Sequence, residues 1–325
     1  MTNAPRLTLG PLQFHWPADR KRDFYFRIAD EAPIDTVYLG EVICSKRAPF
    51  SEPLYPDLIE RLERGGKRVV FSSLAEVLLK RERAMTIALA DSELEIEVND
   101  ASALPYLSGT PHRIGALFNT YNEETMRYLA ARGATHFALP SELPRAAVAT
   151  LAATARELGV GVELHVFGRA SLALSARCYH ARAHGRTKDN CQFVCDEDPD
   201  GMELRTVEGE PWLAVNGIQT MSHAYVCLLC ELAEIAALGV TDLRLSPHTL
   251  DMVAVAQLFR DVADSRLDAE AAQQRLLATG AIPALANGFW RGRAGFTYNG
   301  APIEAGIKAA ASVAVGSHPA PVPDR

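Results

Sequence analysis

The sequence predicts an α/β fold, a TIM-like (β/α)8 barrel with a cysteine-bearing insertion between its seventh and eighth strands. Three observations predict it. Short apolar runs alternate with helix-like segments along the chain, and such alternation implies a parallel sheet. Glycine follows helix-like segments at Arg64-Gly65-Gly66, Arg132-Gly133-Ala134 and Leu158-Gly159-Val160, as a helix end before a buried strand requires. The spacing of the units breaks once, where about 75 residues separate the seventh run from the eighth. A doubly wound open sheet shares the alternation and is the rival architecture.

In order, the strand-like runs are Leu7–Phe14, Thr36–Leu39, Arg68–Ser72, Leu94–Val98, Arg113–Phe118, Thr135–Leu139, Gly161–Phe167 and Asp242–Leu245. Helical patterning covers Asp19–Glu31, Tyr55–Arg64, Ser73–Arg83, Glu123–Arg132 and Ser141–Leu158, and is poorest between the fourth and fifth runs. The long gap opens with a cysteine-rich loop. It continues with a hairpin, Met202–Val207 and Trp212–Val215, turned by Glu208-Gly209-Glu210-Pro211, and then a helix over Ser222–Leu238. In a barrel this loop lies over the mouth, at the C-terminal ends of the strands.

The 325 residues, 48% hydrophobic and 22% charged, have ample length for one large core. They read as a single barrel domain over residues 1–315, insertion 170–240 included, with a Pro-rich tail, 316–325, expected to be disordered. A net charge of −7 suits a cytoplasmic protein and argues against a nucleic-acid grip, which wants a basic face. No signal-peptide core and no apolar run of membrane-spanning length is visible. Six cysteines in such a chain favour reduced thiols or metal ligation over disulfides.

Three cysteines fall in the loop Cys178 to Cys195, with twelve residues between Cys178 and Cys191 and three between Cys191 and Cys195. His, Arg and Lys crowd around them, and cationic surroundings stabilise thiolates, the form that soft metals and iron–sulfur clusters bind. Cys44 follows the second strand, so the barrel puts it on the same face as this loop. Four cysteines from two loops suit a 4Fe–4S cluster; a structural zinc also takes four, though usually from paired short-spaced ligands.

The stretch Gly40-Glu41-Val42-Ile43-Cys44-Ser45-Lys46-Arg47, with Cys178 and Cys191-x3-Cys195, resembles the signature of UbiV-type proteins of the collagenase-like peptidase family. The resemblance runs to about Gly300 and takes in Asn287-Gly288-Phe289-Trp290. It implies a barrel-like fold and a 4Fe–4S cluster on Cys44, Cys178, Cys191 and Cys195. It also implies a heterodimer with a homologous UbiU-type subunit, active in oxygen-independent hydroxylation of ubiquinone precursors, and it points to prephenate as oxygen donor. The peptidase label carries no mechanism here, because His-Glu-x-x-His and Gly-x-Ser-x-Gly are both absent.

Other residues carry weaker signals. Cys227 and Cys230 sit one helical turn apart in an apolar run, which reads as a buried helix face. His165 and Arg169 belong to the seventh strand, and Glu41 and Asn119 end strands on the functional side. Each is a candidate for substrate contact, beside the plainer roles of core hydrogen bonding and helix capping. His180, His184, Arg186 and Lys188 flank the cysteines, either as donors to sulfur or as a solvated loop. The aromatic and basic segment Gly288–Tyr298 reads as a substrate contact, a partner contact or a barrel plug. Two rival functions remain beside the hydroxylase subunit: an RNA-hydroxylating paralogue, disfavoured by the acidic charge, and a scaffold in which a cluster only staples the loop.

Overall fold

The computed structural model describes residues 4–107 and 109–300. The tail expected at 316–325 lies outside the described residues. Eight parallel strands close into a barrel: β1 (Arg6–Leu9), β2 (Thr36–Leu39), β3 (Arg68–Ser72), β4 (Ile96–Val98), β5 (His112–Ile114), β6 (Ala134–Leu139), β7 (Gly161–Leu174) and, eighth around the ring, Asp242–Leu245. That last strand pairs with both β1 and β7, which closes the sheet and excludes the open alternative. Around it lie α1 (Ala18–Glu31), α2 (Tyr55–Arg64), α3 (Lys80–Ala90), the short α4 (Leu104–Leu107), α5 (Glu123–Ala130) and α6 (Arg145–Leu158). The insertion holds α7 (Tyr179–Ala183), β8 (Met202–Arg205), β9 (Pro211–Asn216), β10 (Gln219–Cys227) and α8 (Leu232–Ala237). The barrel strand Asp242–Leu245 is β11, followed by α9 (Met252–Ala263), α10 (Ala269–Leu277) and β12 (Leu285–Ala286).

The insertion corrects one expectation. Gln219–Cys227 is a strand, not the start of a helix over Ser222–Leu238, and only Leu232–Ala237 is α-helical. The reason is a long-range partner. β7 does not stop at Phe167 but runs on to Leu174, and β10 pairs antiparallel with that extension from Gln219↔Leu174 to Cys227↔Phe167. A short apolar run takes whichever periodicity its neighbour imposes. β9 and β8 add to β10, so a four-stranded platform rises from the barrel on one stave. Gly168, at φ +117, is where β7 leaves the ring; a Cβ there would stand 2.7 Å from Ser246 Cβ and 2.9 Å from His248 Nε2.

α3 also departs from expectation, beginning at Lys80 rather than Ser73. The Glu82 carboxylate accepts the backbone N–H groups of Leu78 and Leu79, at 2.9 Å each, and the Ser45 hydroxyl at 2.7 Å. Those bonds satisfy donors that a helix start leaves open and fix the start near Glu82. α6 begins at Arg145 rather than Ser141 because Pro144 stands in front of it in extended conformation.

The outer core is apolar, from Leu7, Leu9 and Val37 through Leu58, Leu62, Phe137, Leu151 and Phe259. The barrel interior is not. Glu163, fully buried, accepts from Thr8 Oγ1, from Tyr38 OH at 2.9 Å and from Arg244 at 2.6 Å. Arg244 also bonds Glu97, which accepts from Ser72 at 2.7 Å, and Arg113 bonds Tyr38 OH at 2.7 Å and Glu95 at 2.6 Å. Burial would neutralise Glu163, yet Arg244 beside it holds its carboxyl down at about 2. A buried charge persists only when paired and hydrogen-bonded in this way.

Candidate functional site

Several cavities open at the C-terminal end of the barrel, and two of them hold most of the candidate residues. The first lies under the insertion and is lined by Cys44, Cys178, Cys191 and Cys195 together. Cys44 arrives by a turn off β2: Gly40 has φ +111, and a Cβ there would be 2.4 Å from Ser72 O. Glu41 then accepts the backbone N–H groups of Ile43 and Cys44, both at 3.0 Å, so this carboxylate shapes the Cys44 loop. Cys178 stands before α7, and its Sγ accepts from Ala181 N at 3.4 Å. Between Cys191 and Cys195, Gln192 and Phe193 both adopt left-handed φ, +49° and +55°. Side chains resist that conformation by roughly 1–2 kcal/mol each, and here it curls the loop so that both cysteines line the cavity. Phe193 packs against Phe50 and His15 over the outside, with ring centroids 4.8 and 5.6 Å away.

Cations surround the sulfurs. Lys46 Nζ is 3.7 Å from Cys191 Sγ and donates to the Lys188 and Asp189 carbonyls at 2.7 and 3.2 Å, tying the two cysteine loops together. Arg47 is buried against the Cys195 sulfur. Burial opposes its charge, yet Cys195, Glu41 and Cys44 hold it protonated and above the ordinary arginine range. Burial pushes the Cys44, Cys178 and Cys195 thiols up, against the pull of Arg47 on all three. Among the described residues no three of the sulfurs stand within 4.8 Å of one another. Thiolates on one tetrahedral zinc at about 2.3 Å would stand only ~3.8 Å apart. Four cysteines lining one cavity, with a buried cation and backbone N–H donors facing them, offer the thiolate donor set that soft metals and iron–sulfur clusters take.

His180 is fully buried rather than solvated. Its Nε2 is 2.9 Å from Asp198 Oδ2, its Nδ1 has no partner, and its ring lines the cysteine cavity. His184 stacks on it with centroids 5.6 Å apart. Cys227 ends β10, fully buried, where burial raises its thiol to about 12, and Cys230 is exposed, its thiol donating to Gln273 at 3.2 Å. Neither lines the cavity.

The second cavity is the barrel mouth, lined by residues at the ends of most barrel strands, among them Gln13, Glu97, Asn99, Ser141, His165, Arg169 and Arg244. His165 lies between the Ser141 and Ser246 hydroxyls at 3.0 Å each, and burial drives it down to about 4, so the ring is neutral at neutral pH. Arg169 donates through Nη1 to the carbonyls of Ser222, at 2.9 Å, and His223, and its guanidinium lies 5.0 Å from the Tyr225 ring centroid. Its Nε is buried without a partner, and it forms no salt bridge among the described residues. That leaves the guanidinium edge suited to a carboxylate. Asn119 is exposed at φ +64 and lines neither cavity. The Gly288–Tyr298 segment packs beside α8: Trp290 Nε1 donates to Glu234 at 3.1 Å, and Arg291 bonds Glu231 at 2.9 Å. A wider cavity, about 660 Å³, opens at the opposite barrel face, but its Arg6, Arg68 and Arg113 are already paired with Asp242 and Glu95.

Gln13 and Arg244 were not singled out by sequence reasoning, and Arg47 entered it only as the last residue of the Gly40–Arg47 stretch, with no role attached. Arg244 carried a readable signal, a charged residue inside a short apolar strand. Gln13 carried none beyond position, and the weight of both Gln13 and Arg47 comes from tertiary burial and bonding. No described helix is long and apolar enough to cross a membrane.

Comparison with known proteins gives one family. The model of peptidase family U32 matches residues 25–299. Among solved structures, an uncharacterized B. cereus protein is similar at 8% identity and a TM-score of 0.36, over 81% of this chain and 65% of that one. The chain thus spans under two thirds of that protein's length.

Proposed function

The chain belongs to peptidase family U32, and on that premise we propose that it is a UbiV-type iron–sulfur subunit. Its work is oxygen-independent hydroxylation of ubiquinone precursors, together with a UbiU-type homologous subunit. One observation carries the reading: cysteines from two distant segments line one cavity with a buried arginine and no carboxylate ligand among them. Cys44, Cys178, Cys191 and Cys195 would hold a 4Fe–4S cluster. When bound, it would supply electron exchange, chemistry that side chains lack.

The chain's own residues divide the remaining tasks. Glu41 and Lys46 hold the two cysteine loops in register. Phe193 lines the cavity and is held there by packing against Phe50 and His15. In the neighbouring mouth, Arg169, which lines the cavity without a salt-bridge partner among the described residues, brings positive charge for the carboxylate of an oxygen donor such as prephenate. Neutral His165, between two hydroxyls, orients a polar group without bringing charge.

The test is anaerobic copurification with a UbiU-type partner, followed by iron and sulfide analysis. Expected are about four irons and four sulfides per chain, lost with the visible absorbance in alanine variants of each of the four cysteines and kept in Cys227→Ala and Cys230→Ala. A wild-type chain without iron, or full retention in Cys44→Ala with loss in Cys227→Ala, overturns the reading.

A further inference from the structure

We infer that Arg47 is a positioning residue that sets the reduction potential of the cysteine centre from beneath and links that centre to the barrel mouth. The inference rests on the iron–sulfur reading above. Arg47 is 1% exposed, one of the largest fully buried side chains in the protein. Its bonded partners are neutral: Nη1 donates to Gln13 O at 2.8 Å and Nη2 to Asn216 Oδ1 at 2.9 Å. Its Nε meets no acceptor at hydrogen-bonding geometry, and no carboxylate reaches it as a salt bridge among the described residues. A cation buried this far requires a counter-charge. Glu41 is near, but its carboxylate is engaged by two backbone amides. The sulfurs of Cys195 and Cys44 are the other groups within electrostatic reach that can carry negative charge.

Neutral thiols would leave Arg47 with Glu41 as its one nearby counter-charge among the described residues. Thiolates holding a cluster would not. Adding one electron to such a cluster adds one negative charge beside a fixed cation in a low-dielectric pocket, so Arg47 favours the reduced state and raises the potential. Lys46, partly exposed and shared with two carbonyls, is screened by water and has the weaker effect.

The same guanidinium reaches toward the mouth. Asn216 Nδ2 donates to Gln13 O at 2.7 Å, and Gln219 Nε2 donates to Gln13 Oε1 at 2.9 Å and to Ser171 Oγ at 3.0 Å. Gln13 and Ser171 both line the mouth cavity. Guanidinium and cavity wall therefore form one hydrogen-bonded chain, with the guanidinium lining the cysteine cavity at its other end, and a shift of Arg47 is felt at Gln13.

The experiment uses the full chain, reconstituted anaerobically with iron and sulfide and titrated with dithionite and redox mediators, with the reduced signal followed by electron paramagnetic resonance. Arg47→Met is expected to load a cluster of more negative potential, Arg47→Lys to stay near wild type, and Lys46→Met to shift less than Arg47→Met. Wild-type iron and sulfide with an unchanged potential in Arg47→Met overturns the inference alone, and so does Arg47→Lys falling as far as Arg47→Met. If Arg47→Met folds by circular dichroism but holds no cluster, loading in Arg47→Lys supports the charge and failure there overturns it. If Arg47→Met does not fold, a wild-type potential in Arg47→Lys supports the inference and a large fall overturns it. Hydrogen exchange around Gln13 should slow on loading in the wild type; no difference overturns the link to the mouth. A wild-type chain that takes up no iron overturns both this inference and the function it rests on.

Discussion

At the scale of single residues, Glu41 separates a structural from a catalytic role. Its carboxylate is buried and accepts two amides of the Cys44 loop. Hydrogen bonds to a charged group contribute about 1.5–3 kcal/mol, so Glu41→Ala should lower stability by about that much in denaturant unfolding and weaken iron uptake. Glu41→Gln, which keeps one acceptor, should lose less of both. Loss of hydroxylation with stability and iron unchanged would instead assign it to substrate. The meeting of the four cysteines was legible because barrel topology puts the ends of strands two and seven on one face. The burial of His180 was not: a loop of mixed His, Arg and Lys reads as solvated until Asp198 is seen to fold back against it.

At the scale of elements, the barrel staves were legible to within a few residues, since each short apolar run is flanked by its own turn and helix. What failed were segments whose state is set from afar. β10 reads as a helix until the extension of β7 supplies its partner, and α3 starts late because Glu82 bonds Ser45 on another loop. Gly168 marks the hinge between stave and platform. Its φ of +117 and the crowding by Ser246 and His248 make Gly168→Ala unfavourable by roughly 2–4 kcal/mol. Urea unfolding should show that loss, with a smaller one for Gly159→Ala, where φ is +69 and nothing stands within 4 Å of a Cβ.

At the scale of the whole molecule, the buried polar interior makes stability fall in acid. His136 and His165 are each held by burial at about 4, against 6.5 in the open chain. Above pH 6.5 both states are neutral and nothing is lost. Between 6.5 and 4 the unfolded chain takes up protons that the folded one refuses, so stability falls as pH falls. Near pH 5 the loss is about 2 kcal/mol per histidine. Glu163, held at about 2 by Arg244, adds stability above 4.5 that disappears as pH drops through 4.5 toward 2. Denaturant midpoints at pH 7.5 and 5.0 should show the first stage, and His165→Gln should remove one share of it. The interior itself was only half legible: alternation showed that either Glu163 and His165 or their neighbours face inward, but not that Tyr38, Arg113 and Arg244 would complete a charged lattice there.

The seam that closes the ring also orders events in time. β1 lies against β11, and Arg6 meets Asp242 across 236 residues of chain. At a synthesis rate of about 5–20 residues per second, the first strand waits on the order of 10–50 seconds for its second neighbour. Cys195 is made well before Asp242, so all four thiols leave the ribosome while the ring is still open. During that interval Thr8 and Glu163 lack the covering strand and the cysteines lack a finished pocket. The nascent chain's thiols are therefore most exposed to oxidation and to mispairing between the synthesis of Cys195 and the arrival of its last stave.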